Sequence, residues 1–472
     1  MNKKVFFSLI VGFLVVLTSC KKAVEGYNND PNNPLDADAI TMLTGIEVGN
    51  MEIQEGELAR IAGMWSGYFT GEQFQYQSFY QYLIIARNFD DSWQRIFAGT
   101  LKNERMMKRK AYGVNNRRLV GLAQAIEANV IGTATALWGD IPFKQASNDS
   151  FPNPQYDPQA SVYAAVQSLL DSAIQNFAST AFIDFAAQDI YFGGNMTKWT
   201  QAAYTLKARY YMHTRQYAQA LAAAQNGINT AANNWVAPHS SAGTGTYNLY
   251  YQFMAQVRPG FMDANGAYAV ALLNAANARY RGNAKTIEKS RYNYLYSTAT
   301  NPNYTANGFF YQTVAFPIAS YAENLLILAE AEARTSGFTA GLTRLNTYRA
   351  YLATGGYIGS SYLTAGSYKY DPYVAADFAS GGIENPTASA IAQDRALLRE
   401  IMEERYLTFT GQIEGFNDLR RVFKEPDIRV PVTANTGSQF PQRFLYAQVE
   451  VDLNKSTPNP IPSLFTPTAV NN

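Results

Sequence analysis

Apolar and small residues recur at helical spacing along most of the chain, in blocks separated by aromatic, Gly- and Asn-rich intervals. In one block, Trp199, Ala203, Leu206 and Tyr210 share a face, with Thr197 as the predicted N-cap. Gln216 and Tyr217 break that pattern, and Ala220, Leu221 and Ala224 mark a second helix. The block at 116–138 carries a bulky stripe of Leu119, Leu122, Ile126, Val130 and Leu137. A second stripe is small: Gly121, Ala125, Ala128, Gly132 and Ala136. A helix with two such faces packs on two neighbours at once. Gly139-Asp140-Ile141-Pro142 stops it, and Asp157 with Pro158 is predicted to cap the return helix over 159–177. Helical signal returns at 319–334, paired with 340–352, and again at 394–409 with Leu397, Leu398, Ile401, Met402 and Phe409 inward.

Tyr204, Ala208, Tyr211, Ala220 and Ala224 occupy the spacing of a tetratricopeptide repeat, in which small residues let two helices approach and aromatics fill the gaps. The fold predicted is all-α, about four tetratricopeptide-like helical hairpins with long irregular insertions and little β-structure. One domain is expected over 37–472. Its helices fall at about 37–230, 319–352 and 394–421, and its insertions at about 231–318 and 353–393. Insertions that long in a compact domain usually carry function.

Composition narrows the chemistry. Charged residues make up 16% of the 472, while aromatics reach 14% with 33 Tyr, a surface suited to neutral polar ligands rather than phosphates. Residues 1–19 read as a signal peptide, with Lys3 and Lys4 before an apolar run over 5–17 that is too short to span a bilayer. The run ends in Leu17-Thr18-Ser19-Cys20, which resembles a bacterial lipobox. Cys20, the sole cysteine, is then the lipidated first residue of the mature chain. Once Lys3 and Lys4 leave, 36 of the 38 basic residues face 37 acidic ones. That balance gives no footing for nucleic acid. The basic residues of 102–118 are expected on a solvated helix face, and 20–36 as the lipidated Cys and a polar tether.

Catalytic signatures are sparse. The two histidines, His213 and His239, lie far apart and there is no second cysteine, so zinc sites and histidine-dependent triads are excluded. No cofactor or metal motif stands out. A glycosidase needs only two carboxylates, for which Asp90-Asp91 or Glu403-Glu404 are the nominees. Glu403, Glu404, Arg405, Asp418 and Arg420 read instead as a structural ion cluster. A salt-bridged acid is the opposite of a catalytic acid with a raised pKa. The chain is expected not to be an enzyme.

Several landmarks, in order along the chain, together resemble the SusD/RagB family of surface glycan-binding lipoproteins of Bacteroidetes. They are the lipobox and the DPNNP segment at 30–34, LWGDIPF at 137–143, and WTQAAYTLKARYY at 199–211. YAENLLILAEAEA at 321–333, IMEERYL at 401–407 with GFNDLRR at 415–421, and FPQRFLY at 440–446 with Glu450 and Asn454 complete the set. The resemblance implies a body of four tetratricopeptide-like hairpins with ligand-bearing loops on one side. It also implies a SusC-like TonB-dependent transporter as partner, an outer-membrane location through a lipid anchor at the cell surface, and an oligosaccharide ligand. Some relatives take peptides instead.

Neutral sugars offer apolar C–H faces rimmed by hydroxyls, so exposed rings on loops are the candidates to grip them. The rings in Gly-flanked or irregular stretches are Tyr68 and Phe74, then Tyr247, Tyr250 and Tyr251, then Tyr357 and Tyr362.

Overall fold

The computed structural model describes residues 37–472 apart from Ala306, so the leader, Cys20 and the 30–34 landmark lie outside the described residues. The principal helices are α1 (Leu43–Glu55), α2 (Glu57–Trp65), α3 (Phe74–Tyr80), α4 (Lys102–Gly113), α5 (Arg117–Trp138) and α6 (Gln159–Phe177). They continue with α7 (Met196–His213), α8 (Tyr217–Ala224), α9 (Tyr321–Ser336), α10 (Phe338–Ala353), α11 (Gln393–Thr408) and α12 (Ile413–Arg421). Helices α5/α6, α7/α8, α9/α10 and α11/α12 pair as hairpins, and α6 packs on α7, α8 on α9 and α9 on α11. This is the predicted all-α stack. Among the described residues, strands are confined to four two-stranded antiparallel ladders. Three of them tie down the insertions, at 70–71 with 262–263, 235–237 with 316–319, and 286–287 with 369–370.

Both stripes of α5 are used, and every residue from Leu119 to Trp138 is buried. A Cβ at Gly121 would sit 2.8 Å from the Phe177 ring of α6, and one at Gly132 would collide with the Tyr210 ring of α7. The small stripe is therefore what lets two neighbours close on one helix. The caps correct two expectations. Asn195, not Thr197, opens α7 by accepting from the Lys198 N–H at 3.1 Å. The Gln159 N–H that opens α6 goes to Asp140 at 2.8 Å, while Asp157 accepts from the N–H groups of Phe143 and Lys144. The two acids have exchanged roles: Asp140 of the stop signal starts the return helix, and Asp157 secures the turn behind the stop signal.

Landmarks 307 residues apart in sequence meet at the end of α5. Trp138 Nε1 donates to the Leu445 carbonyl at 2.7 Å, the Phe444 N–H donates to the Leu137 carbonyl at 2.9 Å, and the Tyr446 hydroxyl donates to the Asp140 carbonyl at 2.7 Å. The Trp138 and Phe444 rings lie edge to face, 5.6 Å apart. The closing segment is thus fastened over the stop signal of that helix.

The five residues expected to form one ion cluster divide into two, with Arg420 outside both. Glu404 pairs with Arg291 at 2.9 Å and Arg281 at 3.0 Å, and Arg281 also engages Glu288, Glu400 and Glu403. Here the insertion's guanidiniums are buried against α11. Burial works against ionisation, yet Arg281, Arg291 and Arg349 hold Glu404 down at about 2. Its neighbour Glu400 goes the other way, pushed by burial well above the usual carboxylate range. In the second cluster Arg405 binds Asp418 at 2.7 Å, and Arg421 makes a fork on Glu330 at 2.6 and 2.7 Å. Arg420 has no carboxylate partner among the described residues. It donates to the carbonyls of Gln442 (3.0 Å) and Ala136 (2.9 Å), and burial lowers its pKa to about 10. The basic face of α4 is likewise only partly solvated, since Arg105 and Lys108 both reach the buried Glu127 of α5.

Candidate functional site

The sequence EQFQYQSFYQ at 72–81 alternates amides with rings, and α3 forms across it. Phe74, its first residue, has φ +49° and is 72% exposed. A ring held open on a backbone conformation unfavourable for a bulky residue marks a place where the fold tolerates strain. Its partner comes from the long insertion. The Phe74 and Phe261 rings stack at 5.0 Å with planes 27° apart, leaving the outer face of Phe74 free. Backbone hydrogen bonding holds the pair in register: Thr70–Gly71 runs antiparallel to Met262–Asp263, and the Glu72 N–H donates to the Phe261 carbonyl at 2.9 Å. Gly71 is required for this approach, because a Cβ there would collide with the Tyr76 carbonyl oxygen.

Further rings continue inward. Tyr76 lies 6.4 Å from Phe261 and 4.4 Å from Phe253, and the Arg60 guanidinium sits 4.4 Å over the Phe253 ring. Arg60 Nε also donates to the Tyr76 hydroxyl at 2.7 Å. Beyond Phe253 opens a cleft of about 320 Å³, within the size range of small-molecule sites. Its polar walls carry Glu52, Glu57, Arg60, Asp91, Arg95 and Gln252. Burial pushes the Glu57 carboxyl up. Two π-helical segments, Arg95–Leu101 and Gln252–Val257, contribute Arg95 and Gln252, Phe253 and Val257 to the same cleft. Such turns are rare and collect at functional sites. Glu55 at the end of α1 fixes the insertion beside it, accepting from the Leu249 N–H at 2.7 Å and bonding His239 Nε2 at 2.8 Å.

At the outer end, Glu72 and Asp263 flank the stacked rings. Partial burial and the Asp263 carboxylate raise the Glu72 pKa. Desolvation, and then the same two acids, raise that of the nearby Tyr80 phenol. Exposed Gln73, Gln75 and Gln77 rim the platform with amides. An exposed ring face, amide and carboxylate edges and an adjoining polar cleft together suit a ligand with apolar faces and many hydroxyls.

The rings singled out from sequence scatter. Phe74 lies at this site. Tyr68 and Tyr250 are core residues with no exposed surface, a correction to their candidacy. Their hydroxyls donate to the carbonyls of Tyr406 (2.7 Å) and Gly411 (2.6 Å). Gly67, at φ +73°, turns the chain so that Tyr68 goes under the surface rather than out of it. Tyr247 and Tyr251 are half-buried and meet edge to face at 5.5 Å, with Tyr311 5.9 Å beyond Tyr251. Tyr357 and Tyr362 lie in a different part of the fold, where the Tyr362 hydroxyl accepts from Asn303 Nδ2 at 2.8 Å. Phe253, Phe261 and Arg60 were not picked out from sequence. The Pro259-Gly260-Phe261 turn is the signal that could have pointed to an exposed ring in the insertion. The nominated catalytic pairs do not line up as one. Asp90 accepts from the Val449 N–H at 2.9 Å while Asp91 faces the cleft, and Glu403 and Glu404 are tied to Arg281.

Comparison with known proteins agrees with this architecture. Residues 31–238 match the SusD-like family model described as "Starch-binding associating with outer membrane". A SusD/RagB family protein from Bacteroides thetaiotaomicron superposes with a TM-score of 0.65 at 20% identity, covering 89% of this chain and 95% of that one. A SusD homolog from Bacteroides fragilis gives 0.60 at 20% identity over 92% and 99%. A chitin-binding SusD homolog from Flavobacterium johnsoniae gives 0.65 at 14% identity over 91% and 98%. No curated protein matches the sequence.

Proposed function

The chain is a SusD/RagB family protein, and from that premise we propose that it binds an oligosaccharide on the Phe74–Phe261 platform and in the adjoining cleft. The family is one of carbohydrate-binding proteins associated with the outer membrane. The observation that carries the reading is Phe74, strained, exposed and stacked from behind so that one ring face is presented to solvent. A pyranose ring lays its C–H face on such a surface, and its hydroxyls reach Gln73, Gln75, Glu72 and Asp263. The next sugar units enter beside Phe253, where Glu57, Asp91 and Gln252 offer acceptors and donors. In this reading the site binds its ligand and does no chemistry on it.

The rest of the pathway is also part of the proposal. The ligand passes to a SusC-like TonB-dependent transporter, and a lipid on Cys20 holds the protein at the outer membrane, displayed at the cell surface. Among the described residues no helix is long and apolar enough to cross a membrane. The descriptions of the relatives, starch-binding for the family model and chitin-binding for a solved neighbour, favour a neutral glycan.

Isothermal titration against a panel of neutral polysaccharides and their oligomers tests the site. Phe74→Ala should weaken binding of the recognised glycan by about 1–3 kcal/mol, the range for stacking on one ring. Wild-type affinity in the variant would place the ligand elsewhere. If no glycan binds the wild type and an oligopeptide does, the oligopeptide-binding alternative replaces this reading.

A further inference from the structure

The turn that joins α4 to α5 carries a surface that the platform does not use. Tyr112 and Val114 lie at the end of α4, Phe182 and Ile183 in the loop after α6, and all four side chains are exposed. Three hydrogen bonds hold turn and loop together. The Arg117 N–H donates to the Ala181 carbonyl at 2.9 Å, Asn116 Nδ2 to the Ile183 carbonyl at 3.0 Å, and Arg118 Nε to the Ser179 carbonyl at 2.9 Å. Cations sit among the apolar groups. The Arg118 guanidinium lies 3.8 Å over the Phe182 ring, and that of Arg117 5.2 Å over Tyr112. Arg109 is exposed one helical turn before Tyr112. Among the described residues none of these three arginines pairs with a carboxylate. The acids beside them hold their own backbone turns: Asp184 accepts from the Ala186 N–H at 3.1 Å, and Asp38 from the Ile40 and Thr41 N–H groups at 3.0 Å. Exposed apolar side chains scattered singly are ordinary, but a group of them interleaved with unpaired arginines is not scatter.

Charge, and the place where the chain leaves the fold, define the occupant. Lys110 Nζ, on the same helix, donates to the carbonyl of Ala37, the first described residue. That contact puts the exit of the segment 21–36, whose far end is Cys20, about one helical turn from Val114. Fully extended, the segment spans at most about 55 Å. A lipid on Cys20 therefore keeps this surface within reach of a bilayer. Guanidinium groups fork onto phosphate oxygens, and apolar side chains beside a tyrosine suit the boundary between headgroups and acyl chains. We infer that this face docks on an anionic lipid surface and so sets which side of the protein faces the membrane. The inference rests on the lipid-anchor reading for its partner and on Arg109, Tyr112, Val114, Arg117, Phe182 and Ile183 for the contact. Attraction of this kind is weak and reversible, so the acyl group supplies residence and the patch supplies orientation.

The mature chain from Lys21, made without leader or lipid, is floated with vesicles of phosphatidylglycerol and phosphatidylcholine, and in parallel with phosphatidylcholine alone. Binding is expected on the anionic vesicles only, fading as salt is raised. Arg109→Gln/Arg117→Gln, at two exposed positions, should weaken it about fivefold per charge removed. Val114→Ser/Ile183→Ser should weaken it at least about fourfold, the equivalent of one methylene group withdrawn from the interface. Glycan affinity should be unchanged in both variants. Absence of binding, equal binding to both kinds of vesicle, or wild-type binding in either double variant would each overturn the inference. So would self-association of the wild type that Val114→Ser/Ile183→Ser abolishes, which would assign the face to a second copy of the chain. Acyl labelling at Cys20 is read separately on the full chain. Label without vesicle binding by the mature chain refutes the docking face alone, and vesicle binding without label refutes the anchor alone.

Discussion

Glu47 is buried in α1 with one carboxyl oxygen accepting from the Ile190 N–H at 2.8 Å and the other without a partner. Desolvation and the adjacent Asp189 carboxylate push its pKa well above 4.5. Asp189 is itself committed, accepting from the N–H groups of Tyr191, Phe192 and Gly194 and from Trp199 Nε1. The sign follows from linkage. A carboxyl whose folded pKa lies above its unfolded value adds stability fully present below the unfolded pKa, and that stability fades as pH rises through the folded pKa. Glu47→Gln keeps the shape and removes the titration. Its melting temperature relative to wild type should therefore rise as the pH is taken from the usual carboxylate range toward neutrality and above. A difference that stays flat across that range would mean that Glu47 is not protonated in the native state. The residue scale is also where sequence says least. Tyr68 and Phe74 both sit beside Gly-containing turns, yet one is core and the other 72% exposed. Which way each ring goes depends on a backbone angle and on Phe261, a partner that the long insertion brings in from far along the chain.

Between elements, the buried guanidiniums bind helices whose apolar faces already match. Arg209 of α7 forks onto Glu323 of α9 at 2.6 and 2.7 Å, and Arg421 of α12 forks onto Glu330 of the same helix. Arg405→Ala removes the Asp418 fork from α11 but leaves Arg421 and Arg334 on the acids. The expected cost is about 3 kcal/mol, the low end for a broken buried pair. Thermal unfolding should register that loss, while glycan affinity per folded molecule stays the same. Reduced affinity without reduced stability would give Arg405 a role in binding. Helices were the legible part of the sequence because their signal is periodic and local: the two stripes of 116–138 announced both neighbours of α5. The ion pairs were half legible. IMEERYL showed the acids and Arg405, but Arg281 and Arg291 arrive from an irregular insertion with no period to mark them. Arg420 reads as a member of the cluster, but its neighbour Arg421 is the one that meets the acids; one step along a helix turns a side chain by about 100°, and Arg420 goes to the Ala136 and Gln442 carbonyls instead.

For the whole molecule, the proposed lipid attachment and the proposed ligand site can be tested apart. Cys20→Ala should lose acyl labelling and move from membranes to the soluble fraction, with binding in solution unchanged. Protein that still floats with membranes would sink the lipid-anchor reading. The insertion bearing Phe253 and Phe261 is secured at both ends. Before them the buried Asn248 donates to the Val314 carbonyl at 3.1 Å and accepts from the Tyr250 and Tyr251 N–H groups. After them Arg281 and Arg291 are locked into the acids of α11. A segment clamped in this way behaves as an interchangeable cartridge. Its rings and amides can change without disturbing the helices beneath, so on the proposed reading ligand preference and fold stability are set by different residues.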